Sequence, residues 1–387
     1  MPAAANRLRV DIGRRRRDSS RRMKIAFYAP LKPPDHPVPS GDRQMARMLI
    51  EALKLCGHDV QIASPLRAFS REAFDAAYLD LRKQADEEIV RLRRTWTEEG
   101  PPDTWFCYHP YYKAPDLIGP ALAAEFSIPY VTAESSYSSR RNEGARTLAQ
   151  DAVAAGVRQA AVNICFTERD RKGLEEAIPE GRYAMLPPFI DVGRFQAIPA
   201  TKPADARLIA VAMMRPGDKM DSYRMLAAAL QLVVDIPWTL TIVGDGSARA
   251  QVQGVFAGLP AERLDWAGEN APETVAGLLF GSDLYVWPGC GEAYGLSYLE
   301  AQAAGLPVVA QATAGVPEVV RHGQTGLLTA AGDIALFAEA IRRFLTDGAL
   351  RAEFGKWARR FVLEERSLTA AAQRLEAIFD AFMRRVG

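Results

Sequence analysis

Two carboxylates, Glu292 and Glu300, stand in the stretch Pro288 to Val309, PGCGEAYGLSYLEAQAAGLPVV. A carboxylate accepts two hydroxyl hydrogens at once and so suits a diol. Between the acids lie Gly295 and Leu296, at the entrance of a helical pattern running from about Tyr294 to Ala304. Free N–H groups at a helix entrance, with the partial positive charge they carry, favour a phosphate, and glycine lets the ligand approach the backbone. At ~1.5 Å per helical residue the acids are roughly 12 Å apart along the axis. That matches a sugar ring, a diphosphate and a ribose laid end to end, so the stretch suits a nucleotide-sugar. The bland alternative is one solvated loop acid and one surface helix acid.

The elements around these residues are those of a parallel α/β sheet. An apolar run, Asp283 to Trp287, ends at Pro288; Gly305 and Pro307 stop the helix before a second run, Leu306 to Ala310. Upstream, Arg215 and Lys219 fall between a strand, LIAVAMM, and a helix predicted near Met220 to Val234. A lysine at a helix entrance opposes the macrodipole unless an anion answers it.

The stretch resembles the Glu-x7-Glu signature of the retaining nucleotide-sugar glycosyltransferases of family 4, the group 1 transferases. The flanks SDLYVWPG and AAGLPVVAQATAGVPEVVRHGQTGLL resemble the C-terminal domain of that family. The resemblance covers residue 23 to the end and is densest from 207 to 330. It implies a GT-B fold: two doubly wound Rossmann-like domains facing a central cleft. Transfer would be retaining and metal-independent, from a nucleotide-diphosphate sugar to an acceptor hydroxyl, in cell-surface polysaccharide or glycolipid synthesis. Glu292 would orient the donor sugar, Glu300 would hold the ribose, and Arg215 and Lys219 would hold the diphosphate. Many other transferases hold a divalent metal on an Asp-x-Asp pair, which this sequence lacks. The expectation is therefore no cofactor and no metal.

In chain order, Lys24 to Ala29 is a predicted strand that enters a Pro-rich loop, PLKPPDHPVPSGD, long enough to be functional. The resemblance places Gly41 of this loop near the donor diphosphate. The next helix carries an apolar stripe at Met45, Met48, Leu49, Ala52, Leu53 and Cys56. Arg67 to Glu99 reads as one or two charged helices; Arg91, Arg93 and Arg94 with Trp96 form a solvated face or, alternatively, a contact with a membrane or a polyanion. Pro115 to Phe126 reads as a further helix. His109, after the strand Thr104 to Tyr108, sits where family members commonly face a histidine to the donor sugar. Many relatives carry a histidine near Glu134; here Glu134 opens AESSYSSRR, making Glu134, Tyr137 and Arg140 acceptor-side candidates. By the same resemblance Asn270, after the strand Leu264 to Ala267, contacts the nucleotide base. GDGSAR has Arg249 where a dinucleotide fingerprint needs its third glycine, so it reads as a tight turn and not as a nicotinamide site.

The length of 387 residues exceeds one ordinary core and fits two domains. The expected division is a basic extension at 1–22, a first domain at 23–197, a Pro/Ala-rich linker at 198–206, a second domain at 207–365 and a closing helix at 366–387 that crosses back. The net charge of +1 hides an asymmetry: residues 1–22 hold eight Arg against Asp11 and Asp18, +6, leaving −5 for the remainder. Nothing there suggests a nucleic-acid partner. Cys56, Cys107, Cys165 and Cys290 lack metal-ligand spacing and read as buried reduced thiols. No apolar run is long enough to span a membrane. The expected partners are a nucleotide-sugar and a glycan, glycolipid or small-molecule acceptor, in the cytoplasm, with peripheral contact at the inner face of the plasma membrane left open. Alternatives kept alongside are a GT-B phosphorylase or epimerase and a noncatalytic sugar-nucleotide-binding scaffold.

Overall fold

The computed structural model describes residues 22–38, 40–70, 76–137, 147–196 and 206–383. Nearly all of the expected basic extension, all but the last residue of the expected linker, and Arg140 lie outside the described residues.

Two parallel sheets of six strands each organise the chain. The first holds β1 (Lys24–Tyr28), β2 (Asp59–Ile62), β3 (Thr104–Tyr108), β4 (Tyr130–Ala133), β5 (Val162–Cys165) and β6 (Tyr183–Met185), in the order β2-β1-β3-β4-β5-β6. The second holds β7 (Arg207–Val211), β8 (Thr239–Val243), β9 (Leu264–Gly268), β10 (Leu284–Val286), β11 (Val308–Gln311) and β12 (Gly326–Thr329), in the order β12-β11-β10-β7-β8-β9. Central strands such as TWFCY and VVAQ are buried along their whole length, as continuous apolar runs in a two-sided parallel sheet must be. Each order reverses at one point, between β1 and β3 in the first sheet and between β7 and β10 in the second. Ligands of open α/β sheets bind at such reversals, outside the strand C-termini.

Helices fill the crossovers. In the first domain they are α1 (Gly41–Leu55), α2 (Ala76–Glu99), α3 (Gly119–Glu125), α4 (Thr147–Gln159) and α5 (Glu168–Ala177). In the second they are α6 (Asp218–Gln231), α7 (Arg249–Val255), α8 (Pro272–Phe280), α9 (Leu296–Ala303), α10 (Val316–Val319), α11 (Ile334–Thr346) and α12 (Gly348–Glu365), before α13 (Leu368–Phe382). The predicted stripe of α1 is real: Met45, Met48, Leu49, Ala52 and Leu53 are buried, and the Ser40 hydroxyl caps the helix by accepting from Arg43 N–H.

Helix α13 packs on α1, so the end of the chain lies on the first domain. Phe379 meets the rings of His58 and Phe106, and the Cys56 thiol donates to Ala372 C=O at 3.1 Å. Met23 N–H donates to His58 Nδ1 at 3.4 Å, which leaves the proton on Nε2, turned toward Glu376. The candidate ligand atoms of Cys56, His58 and Glu376 lie within 4.8 Å of one another.

Three local expectations are corrected, and a fourth, the solvated face of α2, holds. Of the charged region after β2, the described residues are helical over Ala76–Glu99, while Ala68 and Ser70 tie an irregular segment to Pro30 C=O and Lys113 C=O. Of the run Pro115 to Phe126, only Gly119–Glu125 is helical, because the Asp116 carboxylate occupies the N–H groups of Ile118 and Gly119. Cys56 and Cys290 are half-buried, unlike Cys107 and Cys165. On α2, Arg91, Arg93 and Arg94 are answered by Glu88, Glu125 and Glu98, while Trp96 turns inward against Trp105 and Phe126. That is a solvated, self-neutralised face. Among the described residues no helix is long and apolar enough to cross a membrane.

Candidate active site

The loop from Pro288 to Gly295 leaves β10 at the reversal point of the second sheet. It turns through Gly289, Gly291 and Gly295, all with positive φ. A Cβ on Gly291 would stand 2.2 Å from the Asp218 carboxylate, and one on Gly289 2.2 Å from the Tyr298 hydroxyl. Both close approaches and left-handed backbone demand glycine here. Gly295 is the N-cap of α9 and supplies no side-chain cap, so the N–H groups of Leu296 and Ser297 stay open at the helix mouth.

Glu292 lies before the helix, in a turn closed by Glu292 N–H to Gly289 C=O at 3.0 Å. The helical rise therefore applies only from Leu296 to Glu300, and the axial separation expected from a continuous helix does not hold. What the structure adds is a partner: Lys219, in the first turn of α6, donates to the Glu292 carboxylate. Both side chains are largely buried, 18% and 19% exposed, and the ammonium also lies 5.5 Å from the centre of the Trp287 ring. Ser222, one turn further along α6, accepts from Cys290 N–H at 2.9 Å. Helix α6 thus holds the loop and presents Lys219 to it. Arg215, on the loop after β7, is exposed and has no ion-pair partner among the described residues.

Glu300 faces the first domain. Burial raises its pKa against the pull of Arg194 and of a hydrogen bond from Gln44 on α1. Neither partner was visible in the sequence. If Glu300 holds the ribose, Glu300→Ala should weaken nucleotide-sugar binding by about 1–3 kcal/mol; unchanged affinity in a calorimetric titration would remove that role. Asn270 follows β9, and its amide donates to Ala267 C=O at 2.9 Å, leaving the side-chain oxygen for a ligand. Gly41 opens α1 with free space around its Cα.

The opposite wall comes from the first domain. His109 and Glu134, at the ends of β3 and β4, both adopt left-handed backbone, φ 59° and 58°. Such strain in non-glycine residues concentrates at functional sites. The Glu134 carboxylate accepts from the Tyr108 hydroxyl at 2.9 Å and from the Tyr294 hydroxyl at 3.4 Å. Tyr294 belongs to the glycine loop of the second domain, so Glu134 joins the two walls. His109 Nδ1 pairs with Asp42, in the first turn of α1, at 3.1 Å.

Burial pushes Glu134 up to about 7, with His109 and the Tyr108 hydroxyl pulling the other way and Asp42 and Asp170 adding to the rise. Burial lowers His109, but Glu134 and Asp42 more than offset it, and its pKa is raised. A carboxyl that titrates near neutrality beside an imidazole of raised pKa can hold or pass a proton. Asp42, Tyr108 and Tyr294 were missed from the sequence, because only the fold brings them to Glu134 and His109. Tyr137, an acceptor-side candidate, packs on the satellite cluster around Val153, Val157 and Leu174 and not on the Glu134 tyrosines.

Contacts across the cleft continue beyond Tyr294. Glu168 N–H donates to the Glu318 carboxylate at 2.9 Å, and Ile190 N–H to Arg366 C=O at 2.9 Å.

Residues 205–347 match the family model of the glycosyl transferases group 1. The N-acetyl-alpha-D-glucosaminyl L-malate synthase of Bacillus anthracis is 31% identical over 161 residues, 41% of this chain and 42% of that protein. A D-inositol 3-phosphate glycosyltransferase of Pseudarthrobacter chlorophenolicus is 34% identical over 166 residues, 42% of this chain and 40% of that protein. The chain thus spans less than half the length of these curated relatives. Among solved structures, the sucrose-phosphate synthase of Thermosynechococcus elongatus superimposes with a TM-score of 0.72 at 20% identity, covering 94% of this chain and all of that one. Anabaena HepE, solved with UDP-glucose, gives a TM-score of 0.64 at 18% identity, over 93% of this chain and all of that one. The fold is GT-B.

Proposed function

We propose that this GT-B chain is a retaining, metal-independent glycosyltransferase that moves a sugar from a nucleotide-diphosphate sugar to an acceptor hydroxyl. The observation that carries the reading is the Lys219–Glu292 pair at the mouth of α9, facing a strained carboxyl and imidazole on the opposite wall. A fold neighbour solved with UDP-glucose supports a donor of that class.

Breaking the donor's glycosidic bond leaves negative charge on the diphosphate, and groups aimed in advance at that charge accelerate the step. Lys219, Arg215 and the open N–H groups of α9 are such groups. When Lys219 turns to the diphosphate, Glu292 is released to accept hydroxyls of the sugar. His109 would face the donor sugar and Glu134 would receive the acceptor's hydroxyl. In same-face transfer the leaving phosphate oxygen takes the acceptor's proton as the new C–O bond forms, which keeps the anomeric configuration.

A thermal-shift screen against UDP, GDP and ADP sugars identifies the donor, and proton NMR of the first-formed product then reads the anomer. Activity is expected to persist in EDTA. Loss in EDTA with recovery on adding a divalent ion overturns metal independence, and an inverted product overturns retention.

A further inference from the structure

The loop after β1 carries basic side chains that the donor contacts leave unused. It departs from the reversal point of the first sheet, where an α/β sheet receives ligands. Three arginines clasp it through backbone carbonyls: Arg67 Nε to Leu31 at 3.0 Å, Arg47 Nε to Pro34 at 2.6 Å, and Arg43 Nη1 to His36 at 2.8 Å. Lys32 lies half-buried among them. Arg67 and Arg47 each use one N–H on these bonds, so the outer edges of their guanidinium groups remain for another acceptor.

Several surface arginines elsewhere carry a carboxylate partner. Arg93 is paired with Glu125, Arg158 with Glu180 and Arg342 with Asp235. Among the described residues, Lys32, Arg43, Arg47 and Arg67 show no carboxylate within ion-pair distance. The acid that Lys32 feels, Asp42, is already turned to His109. Burial lowers the Lys32 pKa, and Arg67 and Arg43 add to the fall against Asp42. Gathering like charges without a counter-charge is costly, and an anion removes that cost.

We infer that Lys32, Arg43 and Arg67 form an anion subsite on the first domain that receives a phosphate carried by the acceptor. This rests on the transferase reading above and assigns the acceptor to the phosphorylated class. The donor's own diphosphate has its cations on the second domain. From Lys32 the path to the glycine loop runs through Asp42, His109, Glu134 and Tyr294, so an acceptor anchored at Lys32 extends toward the reacting centre. The phosphate is that of a soluble sugar phosphate or of a phosphorylated lipid.

The full-length chain, saturated with whichever of UDP, GDP or ADP it binds, is titrated calorimetrically with inorganic phosphate and with pyrophosphate. The wild type should bind. Lys32→Gln with Arg67→Gln should weaken binding at least tenfold while nucleotide affinity stays within twofold. Lys32→Gln alone, which removes no backbone bond, should weaken it several-fold and covers the case in which the double variant misfolds. Equal binding by these variants, or no phosphate binding by the wild type, overturns the subsite. A parallel fall in nucleotide affinity also overturns it, because the cations would then serve the donor. Sedimentation with vesicles of phosphatidic acid in phosphatidylcholine, against titration with a hexose phosphate, separates the lipid source from the soluble one, and binding to neither overturns the assignment. Failure to bind any nucleotide sinks the transferase reading instead, and phosphate titration of the unliganded chain still reads the subsite.

Discussion

A chain carrying Arg215→Ala and Lys219→Ala should lose sugar transfer by about a hundred- to a thousandfold or more, with kcat falling further than donor affinity. The size follows from what one preorganised donor to a developing anion is worth, about 10²–10³ in rate. The stability cost is separable. Lys219→Met alone leaves the Glu292 carboxylate largely buried without its ammonium, costing about 1–3 kcal/mol. Adding Glu292→Gln removes the orphaned charge and should recover most of that stability without recovering turnover. Denaturant melts and steady-state kinetics on the same four proteins read both effects. Wild-type turnover in the Arg215/Lys219 double variant would exclude the diphosphate clamp.

Glu134→Gln should make the protein more stable at pH 8 and less active. Glu134 titrates near 7 in the folded chain, against 4.5 for the ordinary side chain. Between those values the folded state holds more protons than the unfolded one, so stability falls as pH rises through the window and stays low above it. The ceiling is about 3 kcal/mol, from roughly 1.36 kcal/mol per unit. The raised His109 acts in the same direction, contributing stability below its ordinary pKa that is lost as pH climbs through the folded one. The two groups face each other together with Asp42, Asp170 and the tyrosine hydroxyls, so they titrate as a coupled set. Glutamine keeps a hydrogen-bond acceptor for Tyr108 and removes the charge. Melting curves from pH 4.5 to pH 8 should therefore show the variant gaining on the wild type as pH rises. A constant gap across that range would mean that Glu134 does not ionise near neutrality.

What the sequence made legible follows from local chemistry. Apolar runs bounded by proline and glycine fixed the strands, and the α1 stripe fixed its buried face. A lysine at a helix entrance signalled an unanswered charge, and the structure shows Glu292 as what answers it. The continuous-helix picture failed at Tyr294, because positive φ at Gly289, Gly291 and Gly295 turns the chain before α9 begins. Gln44, Arg194, Asp42 and Tyr108 carried no local signal. Their meaning comes from long-range neighbours: Gln44 matters through Glu300 in the other domain, and Asp42 through a histidine 67 positions away. The left-handed backbone of His109 and Glu134 was equally hidden, since neither residue type announces it.

The seating of α13 on α1 bears on how the protein is made. Phe106 in the central β3 and His58 beside β2 find their outer cover in Phe379, 273 positions after Phe106. A nascent chain emerges from its N-terminus, so the first domain must wait, with an apolar flank of α1 uncovered, until the second domain has also been made. Emergence of α13, and not completion of the first domain's own residues, is then the moment at which that half reaches its full stability. A truncation at Arg366 would leave that half permanently in that unfinished condition.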